Sequence, residues 1–377
     1  MLSLNDAIEM LARLVAFDTT PEKSAAPILA FVESLFKARG VESRKILRED
    51  GKLGALWGRL GPRVEGGIVL SGHLDVVSVE GQNWATDPFK LKDRGDKLYG
   101  RGACDMKGFV ACALSALSVL AKQTRETPLY FAFTTDEETE NRTIHDLVKL
   151  LEDEPKPRAV IVGEPTEMNV VTAHKGTHVF FIDITGRAAH SSRPDLGISA
   201  IEIAHDILSY IRSVGESFKK GPLFDSFDPP YATNNIGQIH GGTASNIIPE
   251  HCALVWQLRP ILNAQATQTE DSFRAFLEKD LASKWPEARI DLRVAHCLPA
   301  LEPRATNEAA ALAQKALPNA KMETAPFATE AGVFQESGLD VAICGPGSVT
   351  EAHKPDEFVA KAQLSSCLGF LEKITAP

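Results

Sequence analysis

The stretch Leu129-Tyr-Phe-Ala-Phe-Thr-Thr-Asp-Glu-Glu-Thr-Glu140 starts as a buried β-strand should, with aromatic and apolar residues, and then releases four carboxylates within five positions. Around it, Gly67-Ile-Val-Leu-Ser-Gly72 and Arg158-Ala-Val-Ile-Val-Gly163 are further short β-rich runs. Residues 4–16, 27–39, 108–122 and 143–151 carry helical apolar spacing. Strands alternating with helices predict an α/β fold, a mostly parallel sheet with helices on both faces. In such sheets chemistry collects beyond the carboxyl ends of the strands. The charge after Thr134 therefore marks one wall of a candidate site.

From about Lys175 the texture changes. Residues 179–185, 235–241, 252–259 and 288–294 read as strands, interleaved with helices at 198–212 and 268–284. This β-α-β-β-α-β order matches a ferredoxin-like α+β unit, compact enough to be its own domain. Residues 306–317 and 355–373 then return to helix, with the strand Asp340-Val-Ala-Ile-Cys344 between them. We therefore expect a catalytic domain built from residues 1–175 and 286–377, with residues 176–285 inserted as a second domain.

Each predicted strand of the first domain hands over to imidazole or carboxylate. His73 and Asp75 follow 67–72, Asp105 follows the turn Gly100-Arg-Gly-Ala-Cys104, and Glu164 follows 159–163. Asp136, Glu137 and Glu138 follow 131–134, and His353 comes after the turn Gly345-Pro-Gly-Ser348. Taken singly, a His-x-Asp is a surface pair or a satisfied core histidine, and an acidic strand end is a helix cap. Several such sites at one sheet edge are different, because clustered carboxylates repel unless cations neutralise them.

Imidazole and carboxylate donors suit zinc, cobalt or manganese, and the absence of a cysteine cluster argues against a structural zinc site. Two divalent ions bring four positive charges, against three negative ones from Asp105, Glu138 and Glu164, and one hydroxide closes the sum. A single ion leaves the pocket strongly anionic. Asp75 lies two residues after His73, on the same side of an extended chain, placed to hold the second imidazole nitrogen. Glu137 and Glu138 are adjacent, so their side chains diverge; one can ligate while the other serves as general base.

At these residues the sequence resembles the acetylornithine deacetylase and succinyl-diaminopimelate desuccinylase family, which also includes aminoacylases and glutamate carboxypeptidases with two zinc ions. The matching segments are Ser71-Gly-His-Leu-Asp75, Trp84-Ala-Thr-Asp-Pro-Phe89, Leu98-Tyr-Gly-Arg-Gly-Ala-Cys-Asp-Met-Lys-Gly108, Thr135-Asp-Glu-Glu138, Gly163-Glu-Pro165 and Glu351-Ala-His-Lys-Pro-Asp356. They span nearly the whole chain in order. The resemblance implies a zinc-exopeptidase-like fold whose inserted domain is a lid and dimerisation module. It implies that Asp105 is shared by two metal ions, zinc or cobalt, with His73 and Glu164 completing one site and Glu138 and His353 the other. Glu137 would be the base, and Asp75 would support His73.

The resemblance further implies that His190, in Gly186-Arg-Ala-Ala-His190, reaches the active site of a partner subunit in a homodimer, and that Asn246 and Arg259 contact substrate from the lid. On the residues alone, His190 reads equally as a surface turn, Asn246 as a turn former and Arg259 as a strand-end surface residue. Ala173-His-Lys-Gly176, Ile239-His-Gly-Gly242, Thr329-Glu-Ala331 and Cys344-Gly-Pro-Gly-Ser348 look closest to the acetylornithine deacetylases. That implies a small N-acyl amino acid, N-acetylornithine, as substrate, with Gly345 and Glu330 at substrate positions. Glu330 is suited to the side-chain ammonium, and reads equally as a solvated loop acid. The alternatives are a succinyl-diaminopimelate desuccinylase, a broad N-acyl-amino-acid deacylase, or a metal- or peptide-binding relative without activity. An intact Glu137 beside Glu138 speaks against the last.

At 377 residues, 44% apolar and 24% charged, the composition is that of a globular protein with two cores. With 50 acidic against 40 basic residues and no basic run, nucleic acid and anionic membranes are poor partners. The acidic N-terminal stretch lacks the basic start of a secretory leader, and six scattered cysteines suit reduced thiols, so a cytoplasmic location is expected. No Gly-x-Ser-x-Gly elbow points to a serine hydrolase.

Overall fold

The computed structural model describes residues 2–376. Its strands are β1 (Glu42–Arg48), β2 (Leu53–Leu60), β3 (Ile68–His73), β4 (Lys92–Arg94), β5 (Lys97–Tyr99), β6 (Leu129–Thr134), β7 (Ala159–Val162), β8 (Val170–His174), β9 (Thr177–Thr185), β10 (Thr233–Gly241), β11 (His251–Arg259), β12 (Arg289–Leu298), β13 (Met322–Ala325), β14 (Val341–Ile343) and β15 (Phe358–Ala360). Eight of them make one sheet in the order β1-β2-β6-β3-β7-β14-β8-β13. β6, β3, β7 and β14 run parallel, while β2 joins β6, and β1 joins β2, antiparallel.

All six residues of β6 are buried, as are all six of β3. Because successive side chains point to opposite faces, both faces of these strands are covered. Leu129, Phe131 and Phe133 belong to the core cluster that includes the helices Leu4–Val15, Lys107–Leu120 and Lys361–Ile374. Each such fully buried side chain contributes about 1.5–3 kcal/mol of burial free energy. Tyr130, on the other face, meets Trp57 of β2 with ring centroids 6.1 Å apart and the planes tilted by 41°.

The chain divides into two compact units. One holds the chain up to Ala173, Pro303–Glu323 and the chain from Val333; the other holds His174–Glu302 and Thr324–Gly332. The second unit is built on a four-stranded antiparallel sheet, β10-β11-β9-β12, with the helices Ala200–Phe218 and Asn263–Ala275 in the predicted chain order. Its core is aromatic: Phe180 stacks on Trp256 at 4.3 Å, and Phe273 meets both edge-on at 5.9 and 5.2 Å.

The boundary at residue 286 is corrected. β12 pairs with β9 from Arg289 opposite Thr185 to Leu298 opposite Thr177, so the ladder draws residues 286–302 into the inserted unit. Residues 324–332 join it as well. Met1 and Pro377, the ends of the expected catalytic domain, lie outside the described residues. The helix expected over 355–373 instead begins at Lys361, because Phe358–Ala360 pairs with β5 as β15. Among the described residues no helix is long and apolar enough to cross a membrane.

Candidate metal centre

Five strand or turn ends of the first unit converge. His73 is the last residue of β3, opposite Thr134 at the end of the parallel neighbour β6. Its Nε2 lies 3.0 Å from Oδ1 of Asp105 and 3.8 Å from Oε1 of Glu164, which follows β7. The other oxygen of Asp105, Oδ2, lies 3.2 Å from Nε2 of His353, and that nitrogen lies 3.0 Å from Oε1 of Glu138. Two donor groups result, His73 with Asp105 and Glu164, and Asp105 with Glu138 and His353, the atoms of each within 4.8 Å of one another. Asp105 belongs to both through different oxygens.

The electrostatics fit a cation site. Burial would lower the His73 imidazole, but hydrogen bonds to Asp105 and Asp75 and the charge of Glu164 outweigh it and hold the group well above its ordinary pKa. Hydrogen bonds to Asp105 and Glu138 push His353 up to about 10. Burial and the neighbouring Asp105 charge raise the Glu138 carboxyl. Raised imidazoles among clustered carboxylates mark a pocket of negative potential, which favours bound cations. Imidazole and carboxylate oxygen donors with no thiolate among them match a reactive divalent transition-metal site.

Asp75 sits behind His73. Its carbonyl oxygen lies 3.0 Å and its Oδ1 3.5 Å from Nδ1, and its Oδ2 accepts a hydrogen bond from the Glu138 N–H at 2.9 Å. Asp75 thus orients an imidazole of the first group through its backbone carbonyl, while its carboxylate fixes the peptide that links Glu137 to Glu138. Glu137 is half-buried, and its carbonyl accepts from Asn141 Nδ2 at 2.7 Å. Asp136 plays a different part from its neighbours. It accepts from the N–H groups of Arg142 (2.7 Å) and Thr143 (3.1 Å) and from the Thr143 hydroxyl, so it caps the helix Thr143–Glu152.

Two residues central to the site escaped the sequence reading. Glu357 and Arg101, each 1% exposed, form an ion pair at 2.7 Å. Glu357 also accepts from the N–H groups of Gly102 (3.0 Å), Cys104 (2.8 Å) and Asp105 (3.0 Å), so one buried carboxylate shapes the turn that presents Asp105. The signal available was position: Glu357 directly follows the Glu351–Asp356 segment, and Arg101 stands inside the Gly100–Cys104 turn. Breaking a buried pair leaves an uncompensated charge, so Glu357→Ala should destabilise the protein by about 3–5 kcal/mol, read as a lower unfolding midpoint in calorimetry.

Gly345 lies within the first unit, but its surroundings are backbone. A Cβ there would stand 2.1 Å from the Gly163 carbonyl oxygen and 2.5 Å from that of Glu164. Its own carbonyl accepts from Thr166 N–H (3.2 Å) and Met168 N–H (3.0 Å). Its observed role is close packing that seats the Glu164 turn. Gly345→Ala should therefore cost about 1–3 kcal/mol of stability from overpacking, detected by thermal denaturation before any change in KM.

His190, Asn246, Arg259 and Glu330 belong to the second unit. His190 is exposed, with Nδ1 2.8 Å from Ser192 Oγ, and it bridges to Ile247, which places Asn246 on the neighbouring segment. Arg259, half-buried at the end of β11, donates from Nε to Gln257 Oε1 at 3.2 Å. Glu330 is 1% exposed, which excludes the solvated loop acid. It lies in a turn tied down by Thr329, whose Oγ1 is 3.1 Å from Nε2 of the buried His174.

A profile of the peptidase family M20/M25/M40 matches residues 69–376, a span that includes every residue of both donor groups. The chain belongs to this family. Among curated relatives, the acetylornithine deacetylase of Buchnera aphidicola subsp. Acyrthosiphon pisum (strain APS) is 35% identical over 294 residues, 78% of this chain and 76% of that protein. The acetylornithine deacetylase of Pasteurella multocida (strain Pm70) is 34% identical over 311 residues, 82% and 80% of the two chains. Among solved structures, the aminopeptidase PepT from Bacillus cereus superposes with a TM-score of 0.78 at 20% identity, covering 99% of this chain and 98% of that one. The Bacillus subtilis YXEP protein, described as a dinuclear metal binding peptidase of the M20 family, superposes at 0.69 with 16% identity, covering 99% and 97%. These likenesses establish the M20 fold, and membership of the family makes the chain a hydrolase.

Proposed function

We propose that this M20 hydrolase is a dinuclear metal amidohydrolase that removes the acetyl group from N-acetylornithine, yielding ornithine and acetate, a reaction of arginine biosynthesis. The observation that carries the metal reading is Asp105, whose Oδ1 faces His73 and whose Oδ2 faces His353. Similarity to proteins named acetylornithine deacetylase supports the substrate.

His73 and Glu164 would hold one ion, Glu138 and His353 the other, with Asp105 between them; zinc suits these donors and cobalt can replace it. When bound, such a pair lowers the pKa of an attacking water and polarises the acyl carbonyl. Glu137 would take the proton of that water and return it to the leaving amine. His190 from a second copy of the chain would steady the oxyanion, which makes a homodimer through the inserted unit part of the proposal. Asn246 and Arg259 would contact the substrate, and Glu330 its side-chain ammonium. A cytoplasmic location goes with this reading.

The test is a panel of N-acetylornithine, N-succinyl-diaminopimelate, N-acetylmethionine and simple dipeptides assayed with the purified protein. The highest kcat/KM is expected on N-acetylornithine. A succinyl or peptide substrate turned over faster would replace this reading with that of another M20 enzyme.

A further inference from the structure

The two donor groups are supported unequally. His73 ends a strand inside the parallel sheet, and Asp105 is tied through its N–H to the buried Glu357. His353 stands in a loop between β14 and β15, outside any helix or strand, at φ +63 and with a side chain 53% exposed. That left-handed conformation is uncommon for a residue other than glycine, so something outside the loop must favour it.

The support comes from the loop at 79–85. Gln82 donates from Nε2 to the His353 carbonyl oxygen at 2.9 Å. Its Oε1 accepts from Arg101 Nη2 at 2.6 Å and from Trp84 Nε1 at 3.1 Å. With two donors on the amide oxygen and a carbonyl at the amide nitrogen, the orientation of the Gln82 amide is set by its partners. Arg101 also donates to the Lys354 carbonyl at 3.3 Å, and its guanidinium lies 5.1 Å over the Trp84 ring. In return Asp356 accepts from the Ala85 N–H at 3.0 Å. The Trp84–Phe89 segment, which carries none of the metal donors, thereby acquires a use.

We propose that Gln82 is a positioning residue for His353, and that its bond to the His353 carbonyl, held in place by Arg101, sets the affinity of the metal site formed by Asp105, Glu138 and His353 without affecting the site formed by His73, Asp105 and Glu164. The inference rests on the two-ion reading given above. Residues that orient a metal ligand typically control about 10–100-fold in affinity.

The test is a stepwise titration of Co2+ into the metal-free full-length chain, followed by calorimetry and by the visible absorption of each bound ion. Two steps are expected for the unaltered protein. In Gln82→Met, which keeps the side-chain length without the amide, the weaker step should fall about 10-fold or more while the tighter step keeps its constant and its spectrum. Trp84→Phe, which leaves the Gln82 bond to His353 in place, should change the weaker step far less. Equal weakening of both steps, or no change in either, would overturn the role of Gln82 while leaving the two-ion reading intact. A single step in the unaltered protein would overturn both.

Discussion

Glu137→Gln should retain its fold and its bound metal and lose roughly 10²–10⁴-fold in kcat, the range typical of a removed general base. The reason lies in the pair Glu137-Glu138. Glu138 is committed, with its carboxylate 3.0 Å from His353 and its N–H held by Asp75 at 2.9 Å. Glu137 precedes it in the turn that follows β6, so with the Glu138 carboxylate and N–H both engaged, Glu137 is the neighbouring carboxylate assigned the proton transfer we propose. Glutamine keeps the shape and the hydrogen-bonding oxygen but cannot accept the proton of an attacking water. Metal content measured alongside turnover separates this outcome from loss of the site. A fully active Glu137→Gln protein would remove the residue from the chemistry.

Asp105→Asn should have a comparable effect for a different reason. Only a carboxylate offers an anionic oxygen to each side, and the two oxygens of Asp105 face two different imidazoles at 3.0 and 3.2 Å. Asparagine replaces one of them with an N–H donor that repels a cation, so at least one ion should be lost. Lewis-acid assistance is worth several kcal/mol of transition-state stabilisation. At about 1.4 kcal/mol per tenfold, activity should fall by roughly two to three orders of magnitude. Burial opposes it, but the hydrogen bonds from His353 and His73 hold the Asp105 carboxyl below the usual carboxylate range, so at neutral pH the charge stabilises the metal-free fold and its removal should lower the unfolding midpoint. Retention of two ions and of turnover would show that Asp105 does not bridge.

The sequence exposed those parts of the fold where local pattern and tertiary role coincide. β3, β6 and β7 were legible because strands buried on both faces must be apolar throughout, and their ends stood out because charge follows at once. β1 was not, since Glu42-Ser-Arg-Lys-Ile-Leu-Arg48 is a mostly exposed, charged edge strand with no alternation to read. The domain boundary was missed because β12 pairs with a strand more than a hundred residues earlier, and nothing local in Arg289–Leu298 announces that partner.

The same division holds at the site. The five proposed ligands carry their chemistry on their faces, as imidazole or carboxylate at strand and turn ends. Glu357, Arg101 and Gln82 act only through long-range geometry, with the Arg101–Glu357 bond spanning 256 positions. Asp136 shows the converse: it has ligand chemistry and stands beside two site residues, yet its oxygens are spent on the N-terminus of a helix.

The most direct test is elemental analysis of freshly prepared, active protein before and after chelation. About two divalent transition-metal ions per chain are expected, lost to a chelator in step with activity and restored together with it by zinc or cobalt. Active protein that contains no such metal, or turnover that survives complete chelation, would contradict the convergence of His73, Asp105, Glu138, Glu164 and His353 on a pair of cations.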